Sequence, residues 1–269
     1  MTWHYAPMQG SAHPTFDPLA GLRTAAAARE AAGLRRYLVP RAAGEATLDL
    51  ASNDYLGLSG DARLAEAAAE AARVWGTGAT GSRLVTGTTA LHAELEAELA
   101  EFTGAAAALV FSSGYLANLA VVTALTGALS GDGVLIVSDE RNHASLVDAC
   151  RLARRPGVRV LVTSHGDVAA VAAALAAREE RAAIVVTDAV FSVSGDLAPV
   201  AALHTAARRH GALLMVDEAH ALGVIGATGR GIEEHFGNKV RADIKIGTLS
   251  KAVPSNGGWP RPTRPAPGW

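Results

Sequence analysis

The residues able to do chemistry gather where short apolar runs end. Residues 212–216 (ALLMV) lead into Asp217-Glu218-Ala219-His220. An acid at the end of a buried run is partly desolvated, so it either caps a turn or meets a cation. Another run, from Ile244, closes on Thr248, Leu249 and Ser250, and Lys251 follows. A lysine desolvated in such a mouth sheds its proton and becomes a nucleophile for a carbonyl, whereas a solvated one is inert. Residues 106–111 feed Ser112-Ser113-Gly114-Tyr115 and then a helical stretch. Small residues there either cap the helix or leave its N–H groups open to an anion, and one turn can do both. His143, beside Asn142, follows the run at 134–138 and is placed to stack on a flat ring or to complete a turn. Asp188, Ser192, Ser194 and Asp196 line a further run end, as a polar loop or as part of a site. Singly each has an ordinary structural reading. Together they supply an amine, a buried acid, an anion cradle and an imidazole, an inventory that suits pyridoxal 5'-phosphate.

Elements of defined type must hold these residues on one edge. Apolar runs of strand length recur at 106–111, 133–138, 158–163, 183–187 and 212–216, separated by helical stretches at 115–127, 144–154, 167–179 and 199–210. That alternation predicts an α/β domain: a mostly parallel sheet with helices on both faces, in which ligands bind outside the carboxyl ends of the strands. Upstream, the spacing predicts helices over 20–36, 62–75 and 89–102, and a short strand at 48–51. Residues 259–269 hold prolines and tryptophans without periodicity and are expected to form neither helix nor strand.

Composition narrows the classes. The 269 residues are 49% hydrophobic, which argues against disorder, and a net charge of −2 gives no bulk attraction for nucleic acid. One cysteine, Cys150, excludes an internal disulfide and a cysteine-rich zinc site. No apolar stretch approaches the roughly 18 residues of a membrane span, and residues 1–14 lack a signal-peptide pattern. A soluble, cytoplasmic protein is the expectation. Gly76-Thr77-Gly78-Ala79-Thr80-Gly81 matches a dinucleotide fingerprint letter for letter. That motif works only between a strand and a helix, and here a helical stretch precedes it.

The motifs Asn53–Leu58 (NDYLGL), Gly78–Gly87 (GATGSRLVTG), Phe111–Asn118 (FSSGYLAN), Asn142–Leu146 (NHASL), Val216–His220 (VDEAH) and Thr248–Lys251 (TLSK) resemble the α-oxoamine synthases. These are fold-type I pyridoxal phosphate enzymes that join an amino acid to an acyl-CoA with loss of carbon dioxide. The likeness runs in register over about residues 20–258. It implies that Lys251 carries the cofactor and serves as base, that Asp217 holds the pyridine nitrogen, and that His220 bonds the phenolic oxygen. It implies further that His143 stacks on the ring and lies by the substrate, and that Ser192, Gly114, Tyr115 and Thr248 bind the cofactor. Arg35, with Arg36 as the rival register, would meet the acyl substrate. A homodimer is also implied.

The resemblance sets the expected organisation: an N-terminal arm and helix over 1–45, a cofactor-binding large domain over 46–258, and a divergent tail over 259–269. Family members continue past the lysine into a small C-terminal domain that closes over the substrate. Beyond Gly258 the match ends, so that small domain is expected to be missing and substrate closure with it.

Overall fold

Five strands alternate with helices in the order that the apolar runs from 133 onward predict, a sixth follows the fifth directly, and their register sets the position of every strand-end side chain. The structure is a computed structural model that describes residues 17–44, 48–129, 131 and 133–262. The chain divides into two compact units, Met1–Leu50 and Ala51–Trp269.

In the first unit, helix α1 spans Ala20–Ala31, with every residue exposed. It stops short of the expected residue 36 because Gly33 takes a left-handed φ of 66°, which glycine adopts without strain. The expected strand at 48–51 is absent: Leu48 and Leu50 are exposed and no ladder pairs them.

The second unit begins with α2 (Ala62–Trp75) and α3 (Ala90–Thr103). Asp61 caps α2 by accepting from the Arg63 N–H. Then follow α4 (Gly114–Leu129), β1 (Val134–Asp139), α5 (Ala144–Ala153), β2 (Val158–Thr163) and α6 (Val168–Ala176). They are succeeded by β3 (Ala182–Asp188), α7 (Val200–Arg209), β4 (Leu213–Asp217), the single turn α8 (Ile232–His235), β5 (Ile244–Ser250) and β6 (Pro254–Pro262). The sheet order is β2-β1-β3-β4-β5-β6, parallel throughout except for β6, which runs antiparallel to β5. No described helix is long and apolar enough to cross a membrane.

Strand alternation splits the core into two layers. Leu135, Val137, Val185, Leu214 and Val216 pack under α6 and α7, while Ile136, Ile184, Val186, Met215 and Ile246 pack under α4 and α5. Burial on both faces explains why these strands read as continuous apolar runs. Helix α2 precedes the Gly76–Gly81 stretch, so the glycines there have no strand to extend.

Two expectations need correction. Residues 106–111 form no regular strand; Phe111 makes an isolated bridge to Gly258, and the Leu109 N–H donates to the Pro260 carbonyl. Their partner is β6, and β6 includes Trp259–Pro262, which the proline content argued against as strand. The ladder explains the tolerance. The Pro260 carbonyl faces Leu109, so its nitrogen also points away from β5, where a missing N–H costs no bond to β5. The remaining tail, 263–269, and the first part of the arm, 1–16, lie outside the described residues.

Strand β6 carries fully buried Trp259 and Arg261. Arg261 donates to Glu233 Oε2 at 2.7 Å, and Lys245 lies 3.4 Å from both Glu233 and Glu218. Two cations thus balance two carboxylates in a buried layer. The fit is imperfect: Trp259 Nε1 and Arg261 Nε and Nη1 are buried without partners. Orphaned donors cost about 1–3 kcal/mol each, so the arginine contributes little net stability. Arg261→Met combined with Glu233→Gln, which removes the ion pair and its orphans while leaving Lys245 with Glu218, is therefore expected to change the unfolding free energy by no more than about 1 kcal/mol. Glu233→Ala, which strands two buried cations, is expected to cost about 3–5 kcal/mol in the same urea titration.

Candidate active site

The parallel register of β3 and β4 places Asp188 directly beside Asp217, both at strand ends and both buried. Asp217 is held from two sides: its Oδ1 accepts the Ala219 N–H at 2.8 Å, and its Oδ2 accepts the Asn118 side-chain amide at 2.7 Å. Asp188 Oδ2 accepts the His143 N–H at 2.7 Å. Burial, and then the neighbouring Asp217 charge, push the Asp188 carboxyl well above the usual carboxylate range. Two acids so placed share a proton or meet a cation.

Lys251 supplies the nearest cation. It follows β5, is half-buried, and its Nζ lies 2.8 Å from His220 Nε2. Burial lowers its pKa, and the attraction of Asp217 and Asp188 only partly offsets that. A share of neutral amine is therefore available as nucleophile or base. Burial, then Lys251 and His143, push His220 down to about 4, so its ring is neutral near neutral pH. The other ring nitrogen, Nδ1, lies 2.6 Å from the Tyr55 hydroxyl, which also donates to Asn53 Oδ1 at 3.1 Å. The lysine thus ends a hydrogen-bonded row of Tyr55, His220 and Lys251.

His143 is fixed by the loops on either side of it. The preceding residue, Asn142, donates to the Val186 carbonyl at 2.9 Å and accepts the Asp188 N–H at 3.0 Å, lacing the ends of β1 and β3 together. Its own Nδ1 accepts the Ser145 N–H at 3.2 Å, so the imidazole caps α5.

The third wall is the start of α4. Ser113 Oγ accepts the Leu116 N–H at 3.1 Å, and Thr248 Oγ1 lies 2.8 Å from Ser250 Oγ. A Cβ on Gly258 would sit 2.3 Å from the Gly114 nitrogen, so only glycine lets β6 approach this helix end. Capping leaves room for an anion here, because one side-chain cap satisfies only one of the N–H groups in a helix's first turn.

Of the anticipated residues, Gly114, Tyr115, His143, Asp217, His220, Thr248 and Lys251 line one cleft. Tyr115 directs its hydroxyl to Asp148, 2.5 Å away, rather than inward. Ser192 is exposed on the loop after β3 and is not among the lining residues. Arg35 belongs to the N-terminal unit, where it pairs with Glu30 at 2.7 Å. Asn118 and Ser145 line the cleft without having been singled out as site residues, and Asp188, which the sequence left between polar loop and site, lines it too. Two signals could have found them: Asn118 lies one helical turn after Gly114, and Asp188 ends its strand as Asp217 ends the next.

The model of the aminotransferase class I and II family matches residues 45–259. The chain belongs to that family. Among curated family relatives, it is 58% identical over 244 residues to the 8-amino-7-oxononanoate synthase of Mycolicibacterium gilvum, covering 90% of this chain and 62% of that protein. It is equally similar, over 243 residues, to that of Mycobacterium tuberculosis, covering 90% and 61%. The chain thus spans less than two thirds of the length of these relatives. A serine palmitoyltransferase from S. paucimobilis, solved with a bound PLP–myriocin adduct, matches with a TM-score of 0.81 at 31% identity, over 93% of this chain and 65% of that one. An 8-amino-7-oxononanoate synthase from Francisella tularensis matches with a TM-score of 0.64 at 28% identity, over 80% of this chain and 58% of that one. The mostly parallel α/β fold is the one these family members share.

Beside the cleft, His165 bridges two carboxylates, with Nδ1 3.0 Å from Asp139 and Nε2 2.5 Å from Asp196. Desolvation lowers its pKa, but the bonds to the two acids outweigh that and hold it above its ordinary value. A raised folded-state pKa contributes stability below the unfolded value that is lost as pH rises through the folded one. The stability difference between the parent and His165→Ala is therefore expected to shrink as pH rises above the ordinary imidazole range in chemical denaturation.

Proposed function

We propose that this cleft holds pyridoxal 5'-phosphate and uses it to join an amino acid to an acyl thioester with loss of carbon dioxide. The carrying observation is the half-buried Lys251 beside neutral His220 in the same cleft as the buried Asp217–Asp188 pair. The donor set fits each end of that cofactor: an amine for its aldehyde, a carboxylate for its ring nitrogen, and helix N–H groups with hydroxyls for its phosphate. The cofactor, when bound, supplies an electron-withdrawing ring that drains charge from the α-carbon of an attached amino acid.

The chain's own residues do the rest. Lys251, with its proton loosened by burial, would hold the cofactor through its amine and, as a base, would take the α-proton of the substrate. Asp217, oriented by Asn118 and the Ala219 N–H, keeps the ring nitrogen protonated. His220 would bind the phenolic oxygen and His143 would hold the ring. Gly114 and Tyr115 would serve the cofactor's binding turn, Thr248 the phosphate and Ser192 the cofactor more loosely, and Arg35 the acyl substrate. Similarity to the 8-amino-7-oxononanoate synthases supports L-alanine and a pimeloyl thioester, on coenzyme A or a carrier protein, as substrates in biotin biosynthesis. A cytoplasmic homodimer is part of this reading.

A sister condensation of glycine with a short acyl-CoA would use the same cofactor residues. Thiol release with alanine and pimeloyl-CoA, but not with glycine, supports the first reading. Release only with glycine supports the second, and release with neither marks a chain that binds cofactor without completing the reaction.

The full chain incubated with pyridoxal phosphate is expected to gain a visible absorption band that Lys251→Ala abolishes. Borohydride reduction and peptide mapping should place the adduct on Lys251; an adduct on Lys245 would overturn the assignment. Asp217→Asn is expected to weaken cofactor binding by about tenfold or more, the loss of one contact charge pair, while leaving the unfolding transition nearly in place.

A further inference from the structure

Asn118 lies on the buried face of α4, 1% exposed, between the carboxylate of Asp217 and the hydroxyl of Ser145. Its side-chain nitrogen has two N–H donors and no acceptor capacity. One reaches Asp217 Oδ2 at 2.7 Å and the other Ser145 Oγ at 2.9 Å. The amide oxygen is left buried without a partner. The reverse orientation would aim that oxygen at a carboxylate, so the orphan is accepted to keep both donors where they are.

The consequence passes to His143. Ser145 Oγ already accepts from Asn118, so its own proton is directed at His143 Nδ1, 2.7 Å away. The Ser145 N–H points to the same nitrogen. With Nδ1 an acceptor, the neutral ring carries its proton on Nε2.

We infer that Asn118 is a positioning residue that sets two groups of the cleft at once: the orientation of the Asp217 carboxylate and, through Ser145, the tautomer of His143. The inference rests on the reading that Asp217 and His143 flank the cofactor, but its mechanism is a property of the chain itself. Donor-only chemistry at position 118 forces the direction of the whole row, Asn118 to Ser145 to His143.

Asn118→Asp tests that direction with almost no change of shape. The carboxyl oxygen that replaces the amide nitrogen shares a proton with Asp217 along the present N–H···O line and keeps a lone pair with which to accept from Ser145. The serine proton then points back to position 118, and Ser145 Oγ becomes free to accept from His143 Nδ1. The full chain, with its histidines labelled with nitrogen-15, reports this as ring nitrogen shifts; the His143 signal is the one lost in His143→Gln. The parent is expected to show Nε2–H favoured over Nδ1–H by about tenfold or more, and Asn118→Asp to reduce that preference, against the Ser145 N–H that still points to Nδ1. Ser145→Ala, which cuts the row but keeps the Asn118–Asp217 bond, is expected to reduce the Nε2–H share. That variant keeps the test decisive if the first does not fold. An unchanged His143 tautomer in a folded variant would overturn the inference.

The same spectra recorded before and after addition of pyridoxal phosphate separate the two ideas. A tautomer ratio that shifts with position 118 in a chain that binds no cofactor upholds the relay and sinks the cofactor reading. Cofactor binding with a tautomer indifferent to position 118 does the opposite.

Discussion

Parallel pairing of β3 with β4 brings Asp188 and Asp217 to the same level at the carboxyl edge of a sheet whose both faces are covered. Two carboxylates cannot both stay charged there without compensation. The surroundings of the pair supply it. Backbone N–H groups of His143 and Ala219 and the Asn118 amide bond the acids directly, and the amine of Lys251 provides the opposite charge. Burying this pair carries a cost that an opposite charge offsets.

A second buried charge group, below the edge, contrasts with the first. Glu218, the neighbour of Asp217, turns into the layer where Lys245, Glu233 and Arg261 balance each other. Side chains alternate across a strand end, so two adjacent acids serve two different neighbourhoods. Only the cleft-facing acid lies within reach of a ligand. The lower cluster ties β5 to β6 and α8 and is a packing device, with orphaned donors concentrated on Trp259 and Arg261.

Much of this arrangement is legible in the amino-acid order. Strands β1 to β4 read clearly because a parallel strand buried on both faces leaves an uninterrupted apolar run, and the polar letters that end each run mark the ligand edge. Lys251, His220 and Asp217 follow from that rule. What escapes it is pairing that depends on register and on neighbours. Residues 106–111 look like a strand but make only a bridge, because their partner is the proline-bearing β6. Strand β6 itself is invisible to propensity, since its prolines are tolerated only through the side to which their nitrogens turn. Asp188 becomes a site residue through its register with Asp217, and Asn118 through donors aimed across ninety-nine positions of sequence.

The central claim is that the acid pair is a charge trap that a cationic partner relieves. Carbon-13 NMR of the aspartate side-chain carboxyls, with Asp188 assigned through Asp188→Asn, measures it directly. In the cofactor-free chain, Asp188 should titrate well above the ordinary carboxylate range, and addition of pyridoxal phosphate should move that titration downward. An Asp188 that titrates as an ordinary carboxylate and is unmoved by the cofactor would contradict the account.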